Sequence, residues 1–209
     1  WEIVIVDGKR TDYISLIKEN NVVAVGSKIE DWVRIAQFVE EQMDARYELS
    51  KRRQKQGIEP RFPAPPMLFL LDEFGSVVRE IKGRYGKPGL DVFNNMLKNI
   101  AAKARQAKIH MVIATQDVYK NTFDGDLKAN LSFIVSLGQA STRTLSDSFS
   151  NETRPKAIRI GQSIQEEDKG RGIIEIGTDE GKSVVEFQTY YAYSVSYTHL
   201  RAHETLRYL

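Results

Sequence analysis

Cysteine is absent from the 209 residues, so neither a disulfide nor a thiolate metal site is available, and that usage fits a reducing, cytoplasmic setting. Long apolar runs are missing as well. The longest, Met67–Leu71, has five residues, where a membrane helix needs about 20. No signal peptide opens the chain, so any membrane anchor of the full protein is expected to lie outside this stretch. An excess of one charge is also lacking: 30 basic against 28 acidic residues leave +2, so a DNA-binding surface, if there is one, must be local. Proline is scarce, and four of the six fall between Glu59 and Pro66, which marks that segment as an extended connector.

What is present is an ordinary globular composition, 41% hydrophobic, in a chain long enough for a sizeable core. Short β-branched runs alternate with longer segments of helical period, the pattern of an α/β fold with a mostly parallel sheet. Strands are expected at Ile3–Val6, Val22–Val25, Met67–Leu71, Ile109–Ala114 and Phe133–Leu137, the last three reading as buried. A helix opened by a Ser27/Glu30 capping box carries Ile29, Val33, Ala36, Val39, Met43 and Tyr47 on one stripe and stops at Gly57. A polar loop is expected from Arg79 to Gly89. It leads to a second helix with Val92, Met96, Leu97, Ile100, Ala101 and Ala104 on one side. A hairpin, Gly172–Ile176 with Val184–Tyr191, closes the domain.

Met67–Leu71 runs into Asp72-Glu73, the Walker B pattern, in which a buried strand projects an acidic pair from its carboxyl end. Open α/β sheets hold ligands at that end. Asp72 would hold Mg²⁺, usually through water, and Glu73 would polarise the water that attacks a γ-phosphate. Two acids at a strand end also suit a solvated turn, and the pair alone does not choose. Thr115 and Gln116, ending the next strand, place a hydroxyl and an amide where they can sense the γ-phosphate, or simply cap a strand.

Longer matches break the tie. Lys103-Ala-Arg-Gln-Ala-Lys-Ile-His-Met-Val-Ile-Ala-Thr-Gln116 resembles the K-A-R-x-x-x-I-H-x-x-x-A-T-Q stretch of FtsK/SpoIIIE motors. Leu127-Lys-Ala-Asn130 resembles their I-K-A-N, Thr142-Arg-Thr-Leu-Ser-Asp147 their S-R-T-I-L-D, Asp7-Gly-Lys9 their D-P-K, and Met43-Asp-Ala-Arg-Tyr47 their M-x-x-R-Y. The matches are collinear over roughly residues 1 to 190. Lys169–Gly177 is similar to FtsK-like coupling proteins of Gram-positive conjugative elements. Two departures stand out: Asp117-Val118 replaces Arg-Pro after A-T-Q, and Gly8 replaces Pro, which suggests a looser turn.

The resemblance implies a RecA-like P-loop NTPase core, a mostly parallel sheet flanked by helices with a C-terminal β-hairpin. It further implies ATP and Mg²⁺ as cofactors, DNA as partner, and a homo-oligomeric, hexameric ring at the cytoplasmic face of a bacterial membrane. Asp72 and Thr115 would bind nucleotide, with Asp72 holding the metal, while Glu73 and Gln116 would act in catalysis. Arg105 and Arg143 are, by motif position, the candidates to act across a subunit boundary, although a helix arginine is more commonly a structural ion pair. Arg79, Lys82, Arg84 and Lys87 beside Tyr85 would track a DNA backbone from a pore loop, or form a solvated loop. The function implied is an ATP-driven motor that transfers double- or single-stranded DNA, in conjugation or in chromosome segregation; a type VII secretion ATPase acting on protein, or a non-hydrolysing assembly module, are the alternative readings.

A Walker A loop, G-x-x-x-x-G-K-[ST], is not found. Gly181-Lys-Ser183 has its preceding glycine, Gly177, one residue too close and runs into a β segment, so it reads as a hairpin turn. The family's phosphate loop precedes the D-P-K strand, so residues 1–193 are expected to be an ATPase domain cut after that loop and inactive alone. Residues 194–209, including His199 and His203, read as a non-native tail.

Overall fold

The computed structural model describes residues 1–10, 13–59, 64–116, 118, 123, 125–178 and 181–189. The expected tail, with both its histidines, lies outside the described residues. Two units are formed, Trp1–Leu131 and Ser132–Leu209.

In the first unit, β1 (Glu2–Asp7), β2 (Val22–Gly26), β3 (Met67–Asp72) and β4 (Ile109–Ile113) form a sheet in the order β2-β1-β3-β4, every neighbouring pair parallel. The long crossovers that parallel pairing requires are α1 (Ile29–Lys55) and α2 (Phe74–Lys103). Val4 and Val6, then Met67, Phe69 and Leu71, share one hydrophobic core with Trp32, Val39 and Met43 of α1 and Val77, Phe93, Leu97 and Ile100 of α2. Both helices therefore cover the same face of the sheet. A 3-10 turn at Ile14–Lys18 and the short helix α3 (Gly125–Ala129) complete the unit.

Several expectations are corrected here. The capping box does not form: Lys28 is the N-cap of α1 and no side chain caps it. Gly57 does stop α1, with φ at 70°. Its amide donates to the Gln54 carbonyl and that of Ile58 to Arg53, so a glycine in the left-handed region satisfies the last carbonyls. The α1 stripe also includes Trp32 and Ile35. On α2, Phe93 is buried and Val92 is exposed, one position away from the expected face. Strand β4 is not fully buried: Ile109 faces the core, whereas Val112 is 45% exposed on the other face.

The largest correction concerns Arg79–Gly89, which is helix and not loop. α2 begins at Phe74 and breaks only at Gly86 (φ 68°, ψ −171°), with Pro88 just beyond. Glycine ends one helical segment and proline opens the next, each at the position its backbone favours. A Cβ at Gly89 would sit 2.3 Å from the Tyr85 Cβ, so the tyrosine packs where only glycine fits.

In the second unit β5 (Phe133–Leu137), β6 (Arg171–Thr178) and β7 (Gly181–Gln188) form an antiparallel sheet, with β6 and β7 as the expected hairpin. Ile173 and Val184 on one face pack with Leu145 and Phe149, from and just after α4 (Thr142–Ser148), and with Ala157 of α5 (Arg154–Gly161). Strand β5 was expected to be buried, yet Phe133, Val135 and Leu137 are 60%, 50% and 64% exposed. Alternation sends every second residue to the face away from this core, and on β5 those residues are apolar too.

Among the described residues of this unit, Glu175 is the one buried acid, with its side chain 3% exposed. It accepts hydrogen bonds from the Ser150 amide (3.0 Å) and hydroxyl (2.7 Å), from the Thr153 hydroxyl, and from Lys182 Nζ (3.0 Å). Burial pushes its carboxyl upward, but the Thr153, Ser150 and Lys182 donors outweigh that effect and hold the pKa at about 2.

Candidate nucleotide site

Because β1, β3 and β4 run parallel, their carboxyl ends meet along one edge of the sheet. Asp7 stands opposite Asp72, and Leu71 opposite Ile113. Pairing continues one residue past β4: the Ala114 amide donates to the Leu71 carbonyl (2.8 Å), and the Phe74 amide donates to the Ala114 carbonyl (2.9 Å). Asp72, Glu73, Thr115 and Gln116 are thereby gathered on the edge where open α/β sheets bind ligands. Asp72, Glu73 and Thr115 are half-buried and Gln116 is exposed.

Glu73 occupies a special position. It is the N-cap of α2, its φ and ψ are 49° and 51°, and its side chain makes no hydrogen bond to the first-turn amides. A non-glycine residue in the left-handed region costs about 1–2 kcal/mol. Its conformation directs the chain from strand to helix while leaving the carboxylate uncommitted to capping.

The D-G-K segment has a sharper role than sequence suggested. Asp7 is fully buried and folds the following loop around its carboxylate. Oδ1 accepts from the Lys9 amide (3.1 Å) and the Arg10 amide (2.8 Å), and Oδ2 from the Tyr13 amide (3.4 Å). Gly8 does not loosen this turn. Its amide donates to the Asp72 carbonyl at 3.1 Å, and a Cβ there would lie 2.7 Å from that oxygen and 2.8 Å from the Glu73 carbonyl oxygen. Arg10, also at positive φ, lies over the Trp32 ring and pairs with Glu80 on α2.

The remaining motif residues are placed elsewhere. Arg105 is exposed in the turn before Ile109, at the amino end of β4 and so at the opposite edge of the sheet from Glu73. Arg143 lies on α4 in the second unit, 75% exposed and 3.8 Å from Asp147. Arg79 donates to Ser76 Oγ and Arg84 stands 3.8 Å from Glu30, both on helical backbone, while Lys82 and Lys87 are exposed. Gly181-Lys-Ser183 opens β7, with Lys182 held by Glu175, in keeping with a hairpin turn.

The M-x-x-R-Y match proves structural in its contacts. Buried Arg46 donates to the Ala107 carbonyl (2.8 Å), and the Tyr47 hydroxyl donates to the Lys103 carbonyl (2.7 Å). Together they pin α1 to the turn that launches β4. The M-x-x-R-Y match marked both residues in the sequence, but nothing in it told their part in pinning the helix.

The donor set suits magnesium, which takes one or two carboxylates, completes its shell with water and phosphate oxygens, and needs no protein cage. Asp72 is such a carboxylate, and among the described residues no group of three or more His, Cys, Asp or Glu side chains has metal-holding spacing.

A parallel sheet carrying an acidic pair at its carboxyl edge, packed against helices and followed by an antiparallel hairpin, is a fold shared with solved P-loop ATPase structures. Among solved structures, the chain is similar to the pCW3 conjugation coupling protein TcpA in its monomer form with ATPγS (TM-score 0.70, 17% identity, 91% of this chain and 52% of that one). It is also similar to the cytoplasmic domain of the type VII secretion ATPase EccC of Thermomonospora curvata (TM-score 0.61, 18% identity, 91% of this chain and 22% of that one). The chain thus spans about half the length of the solved coupling-protein chain and about a fifth of the EccC cytoplasmic domain. At such identities the likeness establishes the fold alone. No protein-family model matches the chain, and no curated protein matches it.

Proposed function

We propose that this chain is the catalytic-acid half of an ATP-driven motor that moves DNA in conjugation, completed in its parent protein by a phosphate loop upstream of β1. The observation that carries the reading is the gathering of Asp72, Glu73, Thr115 and Gln116 on one sheet edge by parallel pairing. In this reading ATP and Mg²⁺ bind at that edge. Mg²⁺ would supply charge neutralisation on the phosphates and Asp72 would hold it, through water; Glu73 accepts the proton of the attacking water, and Gln116 orients that water. Thr115 contributes its hydroxyl to the γ-phosphate.

Arg105 and Arg143 serve in trans, from neighbouring copies in a homo-oligomeric, hexameric ring. Arg105 stands at the amino end of β4, across its own sheet from Glu73, which supports a role toward a neighbouring copy rather than toward its own site. Arg79, Lys82, Arg84 and Lys87 contact DNA phosphates from a helix, with Gly86 as the bend. The likeness to the coupling protein supports DNA as cargo, and the setting is then the cytoplasmic face of a bacterial membrane. The likeness to EccC favours a second reading, a secretion ATPase acting on protein.

The proposal is tested with a protein extended upstream through its phosphate loop. It should hydrolyse ATP in a Mg²⁺-dependent manner, whereas the 209-residue chain should not turn over. Failure of the extended protein to hydrolyse ATP would leave only the non-hydrolysing assembly reading.

A further inference from the structure

A buried group at the sheet edge that the reaction does not use is Asp7. It is fully buried and lies at the end of β1, opposite Asp72. Three backbone amides, of Lys9, Arg10 and Tyr13, converge on its two oxygens, so its carboxylate is engaged in shaping the loop that follows β1. Its hydrogen bonds bend the chain back over the end of the strand, and that bend brings Gly8 against the Asp72–Glu73 turn.

We infer that Asp7 and Gly8 are positioning residues for the Glu73 carboxylate, an inference that rests on the ATPase reading above. Glu73 is held from two sides. From β1, the Gly8 amide donates to the Asp72 carbonyl, with van der Waals contact so close that a methyl group at residue 8 would strike both the Asp72 and Glu73 carbonyl oxygens and Val77 Cγ2, at 2.7, 2.8 and 2.9 Å. From β4, the Ala114 carbonyl accepts from the Phe74 amide. Between these two contacts the Glu73 peptide has no freedom to relax from its left-handed conformation, and its carbonyl is already engaged by Ser76 and Val77 amides. The β4 contact continues directly into Thr115 and Gln116, so one hydrogen-bonded row joins the ends of β1, β3 and β4 and fixes the acid relative to its polar neighbours. Two of the three obstructing atoms at Gly8 are backbone oxygens, which cannot swing aside as the Val77 side chain could. A methyl group there must rotate the Glu73 peptide plane.

Displacing a water-activating group by about 1 Å costs on the order of 100-fold in rate. In the extended protein, Gly8→Ala should therefore lower kcat by about 10- to 100-fold, with KM for ATP and nucleotide affinity within about threefold of the parent. Asp7→Asn keeps one acceptor oxygen but turns an amide N–H toward the Tyr13 N–H, which loosens the bend without emptying the site. Its kcat should fall by about three- to tenfold with the same split. A further readout separates positioning from general weakening: added to Glu73→Gln, Gly8→Ala should change the residual rate by less than about twofold, because there is no longer a carboxylate to misplace.

Should Gly8→Ala fail to fold, the milder Asp7→Asn carries the test. The inference is overturned if Glu73→Gln is inactive while the Gly8→Ala and Asp7→Asn proteins retain the parent kcat, or if they lose nucleotide affinity in step with kcat. If instead Glu73→Gln itself turns over at the parent rate, it is the ATPase assignment of Glu73 that fails.

Discussion

Glu73→Gln in the extended, nucleotide-competent protein should lower ATP turnover by at least about 100-fold while leaving nucleotide affinity within about threefold. Glutamine has the same shape as glutamate and can still hydrogen-bond a water, but it cannot take the water's proton. The substitution is comparatively clean here, because the Glu73 side chain makes no capping bond to α2, so no side-chain hydrogen bond to the helix is lost with its charge. The left-handed backbone at Glu73 is held by peptide contacts from Gly8 and Ala114, which the substitution leaves intact. A 100-fold loss corresponds to about 2.7 kcal/mol of transition-state stabilisation, within the usual range for a general base. Steady-state hydrolysis alongside binding of a fluorescent ATP analogue measures both halves of the expectation. Hydrolysis at the parent rate would remove Glu73 from its role.

The second large effect concerns stability and lies far from the chemistry. Glu175→Ala should destabilise the hairpin unit by about 3 kcal/mol at neutral pH. It strips four donor groups of a shared acceptor: the Ser150 amide and hydroxyl, the Thr153 hydroxyl and the Lys182 ammonium. The pH dependence gives an independent estimate. The carboxyl is held at about 2 in the fold against an ordinary value of 4.5. A depressed carboxylate contributes stability that is complete above its unfolded pKa and is lost as pH falls from about 4.5 toward 2, again about 3 kcal/mol in all. Urea unfolding followed by circular dichroism at pH 7 and at pH 3 should show the parent losing stability on acidification and the Glu175→Ala protein losing less. Equal acid sensitivity in the two would mean that Glu175 is not the group responsible.

How far the sequence reveals this structure depends on which physical signal each element carries. Met67–Leu71 and the acids after it are legible because an apolar run ending in charge has few other uses, and parallel pairing then sets Asp72 and Glu73 beside the end of β4. The first half of α2 is not legible. Arg79, Lys82, Arg84 and Lys87 with Gly83 and Gly86 have the composition of a loop, yet Val77, Val78 and Ile81 bury a helical face just before them, and that anchoring overrides the local preference. The exposed faces of β4 and β5 mislead in the opposite direction: Val112, Phe133, Val135 and Leu137 are apolar enough to read as core, and only the three-dimensional arrangement shows which face the helices cover. Glu175 gives no warning either, since an acid between isoleucines in a strand ordinarily faces solvent. Gly8 could be flagged as a departure from the proline of the family pattern, but its close approach to Asp72 depends on the pairing of β1 with β3, which joins residues some 65 positions apart.

A fold of this type serves motors with different cargoes, and the site explains hydrolysis better than it explains what is moved. Arg79, Lys82 and Arg84 on the helical segment before Gly86, with Lys87 just after it, are the proposed phosphate contacts, which would supply charge without base readout. The most direct measurement is ATP hydrolysis by the extended protein, titrated with double-stranded DNA and, in parallel, with a peptide carrying a secretion signal. Stimulation by the duplex, weakening as salt rises, and none by the peptide is the expected result. Stimulation by the peptide with no response to DNA would contradict the account and leave a secretion ATPase in its place.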